Sequence, residues 1–295
     1  AEAQIGDARA GRHGGDQDPQ DRQERGPSFK VQRFAGLTLG GGKGRKTCLS
    51  ILEYFVKEKK IFLTELHENI EDSERLSADS QIIRILDRQK NLKKLAIDAP
   101  VKLPKCLRCR LVCPGHEKCN EPEIKWMWKT HKKKARHKRP NKLFTPYTER
   151  CAEQYLASEF GADFVPDHGF GSNRAPIAAR ALYLKRRLNR GVSVVEVLPK
   201  VSLLQLAKKV GLRKNQIAQY KQLTKGPEIR RFFLDHWSEH EMSFIYHRDF
   251  KSMVKDGFAF DSFISAYTGF LESRGACAPR PKGFPASEAW ITYPE

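Results

Sequence analysis

The chain has 295 residues, 39% of them apolar, enough for a substantial core in one large domain or two small ones. No stretch approaches the roughly 18 consecutive apolar residues of a membrane span, and the first residues lack the apolar core of a signal peptide. The chain therefore reads as cytoplasmic with no membrane partner, and its net charge of +19 points to a polyanion, most simply nucleic acid, DNA or RNA.

Residues 1–28 contain a single large aliphatic, Ile5, and are expected to form a disordered tail ahead of one domain at 29–295. Three strand-like runs follow, at 31–39, 47–55 and 60–66, separated by the polar turns "GGGKGR" and "VKEKK". Short spacing and alternating apolar residues predict an antiparallel meander. The first turn does not make a phosphate-binding loop. Gly36 would require lysine at 42, where Gly42 stands, and "TCLSILEYF" continues as a strand instead of opening a helix.

"SADSQIIRILDRQKNL" then carries an N-cap serine, Ser77 or Ser80, and apolar residues at helical spacing. It leads into the short strand "KLAIDAP". An insert at about 102–142 interrupts the chain. Two amphipathic helices follow, "TPYTERCAEQYLASEFG" and "NRAPIAARALYLKRRLNRG", the second with Ile177, Ala181, Leu184 and Leu188 on one stripe. "VSVVEVLPK" reads as a buried strand. A helical segment spans about 200–247, and its "LLQLAKKVGLRKNQIAQYKQL" resembles a helix-turn-helix with Gly211 at the turn and Ile217 on the second helix, but as an insertion inside an α/β domain it reads better as part of that helical segment. In "FAFDSFISAYTGFLES", Phe260, Phe263, Ile264, Tyr267 and Leu271 line one side of a last helix, and "EAWITYP" closes the chain as a strand. This order predicts an α/β fold: a mixed sheet whose three-strand meander is continued by helix-connected strands, with a cysteine-rich, basic insert.

Within the insert, "KCLRCRLVCPGHEKC" places Cys106, Cys109, Cys113 and Cys119 in a C-x2-C-x3-C-x5-C array. Four thiolates this close suit one tetrahedral structural zinc ion, with an iron–sulfur cluster as the alternative. Beyond it, residues 129–142 hold eight Lys/Arg and no acid. Lys129, Lys132, Lys133, Lys134, Arg136, Lys138 and Arg139 are candidate nucleic-acid contacts. Trp126 and Trp128 precede them, either as stacking surfaces for bases or as rings packed on the domain.

Three carboxylates stand in apolar surroundings: Asp98 at the end of "LAID", Glu196 inside "VSVVEV", and Asp261 on the last helix. An ionised acid there needs a cationic side chain, a metal or an outlet to solvent. Five blocks carry a specific likeness: "LAIDAPVKLP", "FTPYTERCAEQYL", "GSNRAPIAARALYL", "VVEVLPK" and "AFDSFISAYTGFL". With the element order they resemble the predicted-nuclease family catalogued as domain-of-unknown-function family 429, which has a ribonuclease H-like fold related to RuvC-type resolvases. The resemblance runs from about 34 to 294. It implies a nuclease whose carboxylates, from the first strand, the fourth strand and the last helix, hold Mg²⁺ or Mn²⁺ for phosphodiester hydrolysis. Asp98 matches the fourth-strand acid and Asp261 the helix acid, while Glu196 matches an acid that ligates or supports the metal. Thr38 stands where the family usually keeps the first-strand aspartate, and Phe258 where some relatives keep another acid. Asp256 reads as a turn or N-cap residue. Two expectations follow: a metal-dependent nuclease, or a nucleic-acid-binding module of the same fold whose catalysis is weakened by Thr38.

Overall fold

The computed structural model describes residues 31–41, 46–135, 143–166, 169–171, 174–240 and 243–295. The predicted tail and most of the first glycine turn lie outside the described residues.

The meander forms as expected. Strands β1 (Val31–Thr38), β2 (Cys48–Phe55) and β3 (Lys60–His67) are rich in β-branched and aromatic residues and pair antiparallel, with Phe34 opposite Leu52 and Leu52 opposite Leu63. The β2–β3 turn places Lys59 at a positive φ of 54°. Helix α1 (Ala78–Asp87) starts at Ser77, whose hydroxyl accepts the Ser80 N–H at 3.2 Å. Strand β4 (Leu92–Ile97) then runs parallel to β1, with Ile97 beside Leu37.

After β4 come α2 (Lys105–Arg108), α3 (Pro122–Ala135), α4 (Cys151–Phe160) and α5 (Arg174–Arg187). They precede β5 (Ser193–Val197), parallel to β4. The chain continues through α6 (Pro199–Leu206), α7 (Lys214–Ile217), α8 (Gly226–His240), β6 (Ser243–Ile245), α9 (His247–Lys255), α10 (Gly257–Ser273) and β7 (Ile291–Thr292). The described residues therefore form an α/β fold with one mixed seven-stranded sheet, in the order β6-β3-β2-β1-β4-β5-β7, and ten helices. None of those helices is long and apolar enough to cross a membrane.

One expectation about the helical segment changes and one holds. A strand, β6, emerges inside it and pairs parallel with β3, beyond the reach of periodicity because it has only three residues. Gly211 does occupy the turn, at φ 76°, but α7 is a single helical turn and its Ile217 is fully buried in the core. A recognition helix must expose its face to a groove, so this segment is a core element.

Strand alternation divides the core in two. Ala35, Leu37, Ile51, Leu95 and Ile97 face one side, where α1 contributes Ile82 and Leu86, and α5 Ala181 and Leu184. Phe34, Leu52 and Leu63 face the other, against Phe260, Phe263 and Tyr267 of α10. Helix α10 is buried nearly all round from Ala259 to Phe270, not along one stripe alone, because α6, α8 and α9 cover the side away from the sheet. Its backbone lies directly on β1. A Cβ on Gly36 would fall 2.0 Å from the Ser262 carbonyl oxygen and 2.2 Å from the Ala266 nitrogen. Ser50 and Ser262 share a buried hydroxyl hydrogen bond of 2.6 Å at the same crossing. This contact fixes where the helix carries Asp261.

Candidate functional site

Two of the predicted carboxylates meet where α10 crosses the ends of β1 and β4. The Asp98 N–H donates to the Leu37 carbonyl at 2.9 Å, which carries the parallel ladder one step past β4. Alternation then turns Asp98 to the α10 side, the side on which Ala96 faces Gly269. Asp261, in the second turn of α10, is completely buried. Asp256 caps that helix by accepting the Phe258 N–H at 2.7 Å, the role its sequence context suggested.

Asp261 is held from both oxygens. The Tyr220 hydroxyl donates to its Oδ1 at 2.7 Å, and the Lys221 ammonium pairs with its Oδ2. Asp98 has the Arg174 guanidinium at 3.8 Å from Oδ1, too far for a hydrogen bond. Among the described residues, Asp98 Oδ1 and the Thr38 hydroxyl are buried oxygens with no hydrogen-bond partner.

Burial pushes the Asp98 carboxyl up to about 6, with Arg174 and Lys221 pulling the other way and the charges of Asp261 and Glu196 adding to the rise. Burial also raises Asp261, tempered mainly by Lys221. Burial works against the charge on Lys221, yet Asp261 and then Asp98 outweigh it and hold the ammonium above its usual range. Tyr220 is raised well above the ordinary phenol by burial and by Asp261, so it remains a donor. Lys221 still keeps 44% of its side-chain surface open. It thus joins the buried pair to a cleft of about 380 Å³ lined by Asp98, Arg174, Lys200, Asp163 and Lys221.

Glu196 is placed elsewhere. Its register partner is Ile97, which belongs to the α1/α5 core, so the strand turns it away from Asp98. Arg150, itself only 1% exposed, donates to Glu196 at 2.8 Å from Nη1 and again from Nη2, and its Nε lies 3.1 Å from both Glu153 oxygens. The Val101 N–H adds a contact to Glu196 at 3.1 Å. A carboxylate with this many donors is already satisfied, and Glu196 reads as a fold anchor.

Cys106, Cys109, Cys113 and Cys119 line one cavity of about 250 Å³. Burial pushes the Cys106 thiol up to about 11, and the other three cysteines add to the rise. Among the described residues no three His, Cys, Asp or Glu side chains are gathered closely enough to hold a metal ion. Cys48 and Cys151 are buried in the core and Cys277 is half-buried. Of the predicted basic contacts, Lys129 and Lys132 lie exposed on α3. The side chains of Lys133 and Lys134, and all of Arg136, Lys138 and Arg139, lie outside the described residues.

Arg174, Tyr220, Lys221 and Lys200 escaped the sequence reading. Arg174 opens a helix selected for its apolar stripe, and Tyr220 and Lys221 fall in the turn after α7, so neither segment signals an acid site by spacing. The available signal was the requirement that buried acids find cations. No family model, no curated protein and no solved structure matches the chain.

Proposed function

We propose that the chain is a metal-dependent nuclease of ribonuclease H-like fold, hydrolysing phosphodiester bonds in DNA or RNA, with Asp98 and Asp261 at its reaction centre. The observation that carries this reading is the convergence of those two carboxylates, from a strand end and a distant helix, beside a cleft edged by three cations. The antiparallel β1–β3 meander continued by parallel β4 and β5 supports the same fold family.

The donor chemistry fits a hard divalent cation at two oxygens: Asp98 Oδ1 and the Thr38 hydroxyl are buried without partners, and Asp261 would join them by exchanging its Lys221 contact for the ion. Thr38, Asp98 and Asp261 would hold Mg²⁺ or Mn²⁺, which activates water and steadies the leaving oxygen when bound. The chain's own cations do the rest. Arg174 and Lys200 present positive charge to a phosphate in the cleft, and Lys221 offsets the buried Asp261. Tyr220 fixes the Asp261 carboxylate through Oδ1, so its second oxygen faces Lys221 and the site.

A second reading, a nucleic-acid-binding module without cleavage, is favoured by Lys221. Its ammonium already balances Asp261, and Thr38 supplies no charge where a third carboxylate would stand. Cleavage of labelled DNA and RNA decides between them. The nuclease reading expects hydrolysis that requires Mg²⁺ or Mn²⁺ and falls by about two orders of magnitude or more in Asp98→Asn and in Asp261→Asn. Retained binding without hydrolysis selects the second reading.

For the insert we infer a structural zinc ion on Cys106, Cys109, Cys113 and Cys119, with an iron–sulfur cluster as the alternative. The four soft donors line one cavity, and the ion would draw together thiols that stand apart in the arrangement described above. Metal analysis of the purified protein should find about one zinc per chain. Cys106→Ser should lose it, and a variant that keeps the full metal content would remove the assignment.

A further inference from the structure

A second cleft, larger than the one at the acidic site, lies apart from it. This second cleft measures about 1220 Å³ and lies between α3, α4 and the segment after α10. Three half-buried aromatic rings line it: Trp126, Trp128 and Tyr155. Each is held from behind. Trp126 packs edge-on against Phe284 at 5.3 Å and lies 6.4 Å from Tyr155. Trp128 packs edge-on against Phe144 at 4.7 Å and donates its Nε1 hydrogen to the His116 carbonyl at 3.0 Å. The rings are therefore rigid, with part of their surface turned to the cleft.

Five lysines border the same space: Lys118, Lys125, Lys129, Lys132 and Lys282. Among the described residues none of the five takes part in an ion pair. Two carboxylates, Glu117 and Glu159, also border it, which leaves an excess of positive charge over a floor of aromatic rings.

We propose that this cleft binds a single-stranded stretch of nucleic acid, its phosphates on the lysines and its bases against Trp126, Trp128 and Tyr155. The inference deepens the nucleic-acid reading above and names the strand that the protein holds. Size argues for a polymer: the cleft exceeds the ~300–1,000 Å³ typical of a small-molecule site. Ring faces argue for unpaired bases, because a duplex hides its base faces inside the stack, whereas a single strand offers them to aromatic side chains. An acidic peptide would use the lysines but gains little from rings placed to stack.

The test is direct binding, without added divalent ion so that cleavage plays no part. The probes are a fluorescein-labelled oligothymidylate of about 15 nucleotides, a duplex of the same length, and polyglutamate as competitor. The single strand should bind about ten-fold tighter than the duplex or better and should quench tryptophan fluorescence. Lys125→Ala combined with Lys129→Ala, both at exposed positions, should lower the slope of log Kd against log salt by about 1.4. Trp126→Ala should weaken binding about ten-fold. Trp126→Phe, which keeps the ring packing, should retain most of the affinity. Equal affinity for duplex and single strand, an unchanged salt slope in the double-lysine variant, or displacement by polyglutamate at matched charge would each overturn the proposal. Single-strand binding with no hydrolysis once Mg²⁺ or Mn²⁺ is added sinks the nuclease reading and leaves this one standing; metal-dependent hydrolysis without single-strand preference does the reverse.

Discussion

Asp98 is the residue on which charge and burial pull hardest against each other. Its carboxyl is pushed up to about 6, so the folded state holds its proton more tightly than the unfolded chain, whose aspartates titrate near the ordinary value of about 3.9. The stability linked to that proton is fully present below about pH 4 and is lost as pH rises through about 6. Above that range the ionised acid costs stability, which Arg174 and Lys221 only partly offset. Asp98→Asn removes the ionisation and should therefore stabilise the protein by about 1–3 kcal/mol at pH 7.5, with little difference from wild type at pH 4. Urea denaturation of both proteins at the two pH values checks this. A variant less stable than wild type at pH 7.5 would mean that the carboxylate is satisfied in the folded state. A residue that lowers stability in its ionised form needs another reason to be there, and a reaction centre is such a reason.

At the scale of elements, the placement of Asp261 depends on one close contact, α10 lying on β1 at Gly36. An alanine Cβ there would overlap the Ser262 carbonyl oxygen and the Ala266 nitrogen, both backbone atoms that cannot rotate away. Gly36→Ala should cost about 3 kcal/mol or more, read as a lowered denaturation midpoint, and should displace the helix that carries Asp261. A near-neutral substitution would show that α10 can rise off the sheet without penalty. Much of this architecture was legible in the sequence. Alternation located β1, β2 and β3, serine capping located the start of α1, and the stripe on α5 matched its core face. Glu196 was legible as buried but not as bound, since its partner Arg150 lies in another helix and only register separates Glu196 from the Asp98 side. Strand β6 was too short for any period, and the partners Tyr220 and Lys221 come from a turn whose position is set by tertiary packing alone. Local pattern reports which residues are buried; which charges meet is decided by elements distant in sequence.

The whole molecule carries 54 Lys and Arg against 35 Asp and Glu, and the structure distributes part of that excess around two separate clefts. One is small, with a buried acid pair at its edge; the other is large, with aromatic walls. On the proposed function, the large cleft would hold a strand and the small one a phosphate, which separates grip from chemistry. The buried Arg150 cluster ties β5 to α4, the helix whose Tyr155 lines the large cleft. The measurement that tests the central claim most directly is hydrolysis of end-labelled single-stranded DNA and RNA by the full chain with Mn²⁺. Wild type should cut at least one of them, and Asp98→Asn and Asp261→Asn should each reduce the rate by about two orders of magnitude while binding is retained. Absence of cutting by wild type, or cutting that survives both substitutions, would contradict a reaction centre at Asp98 and Asp261.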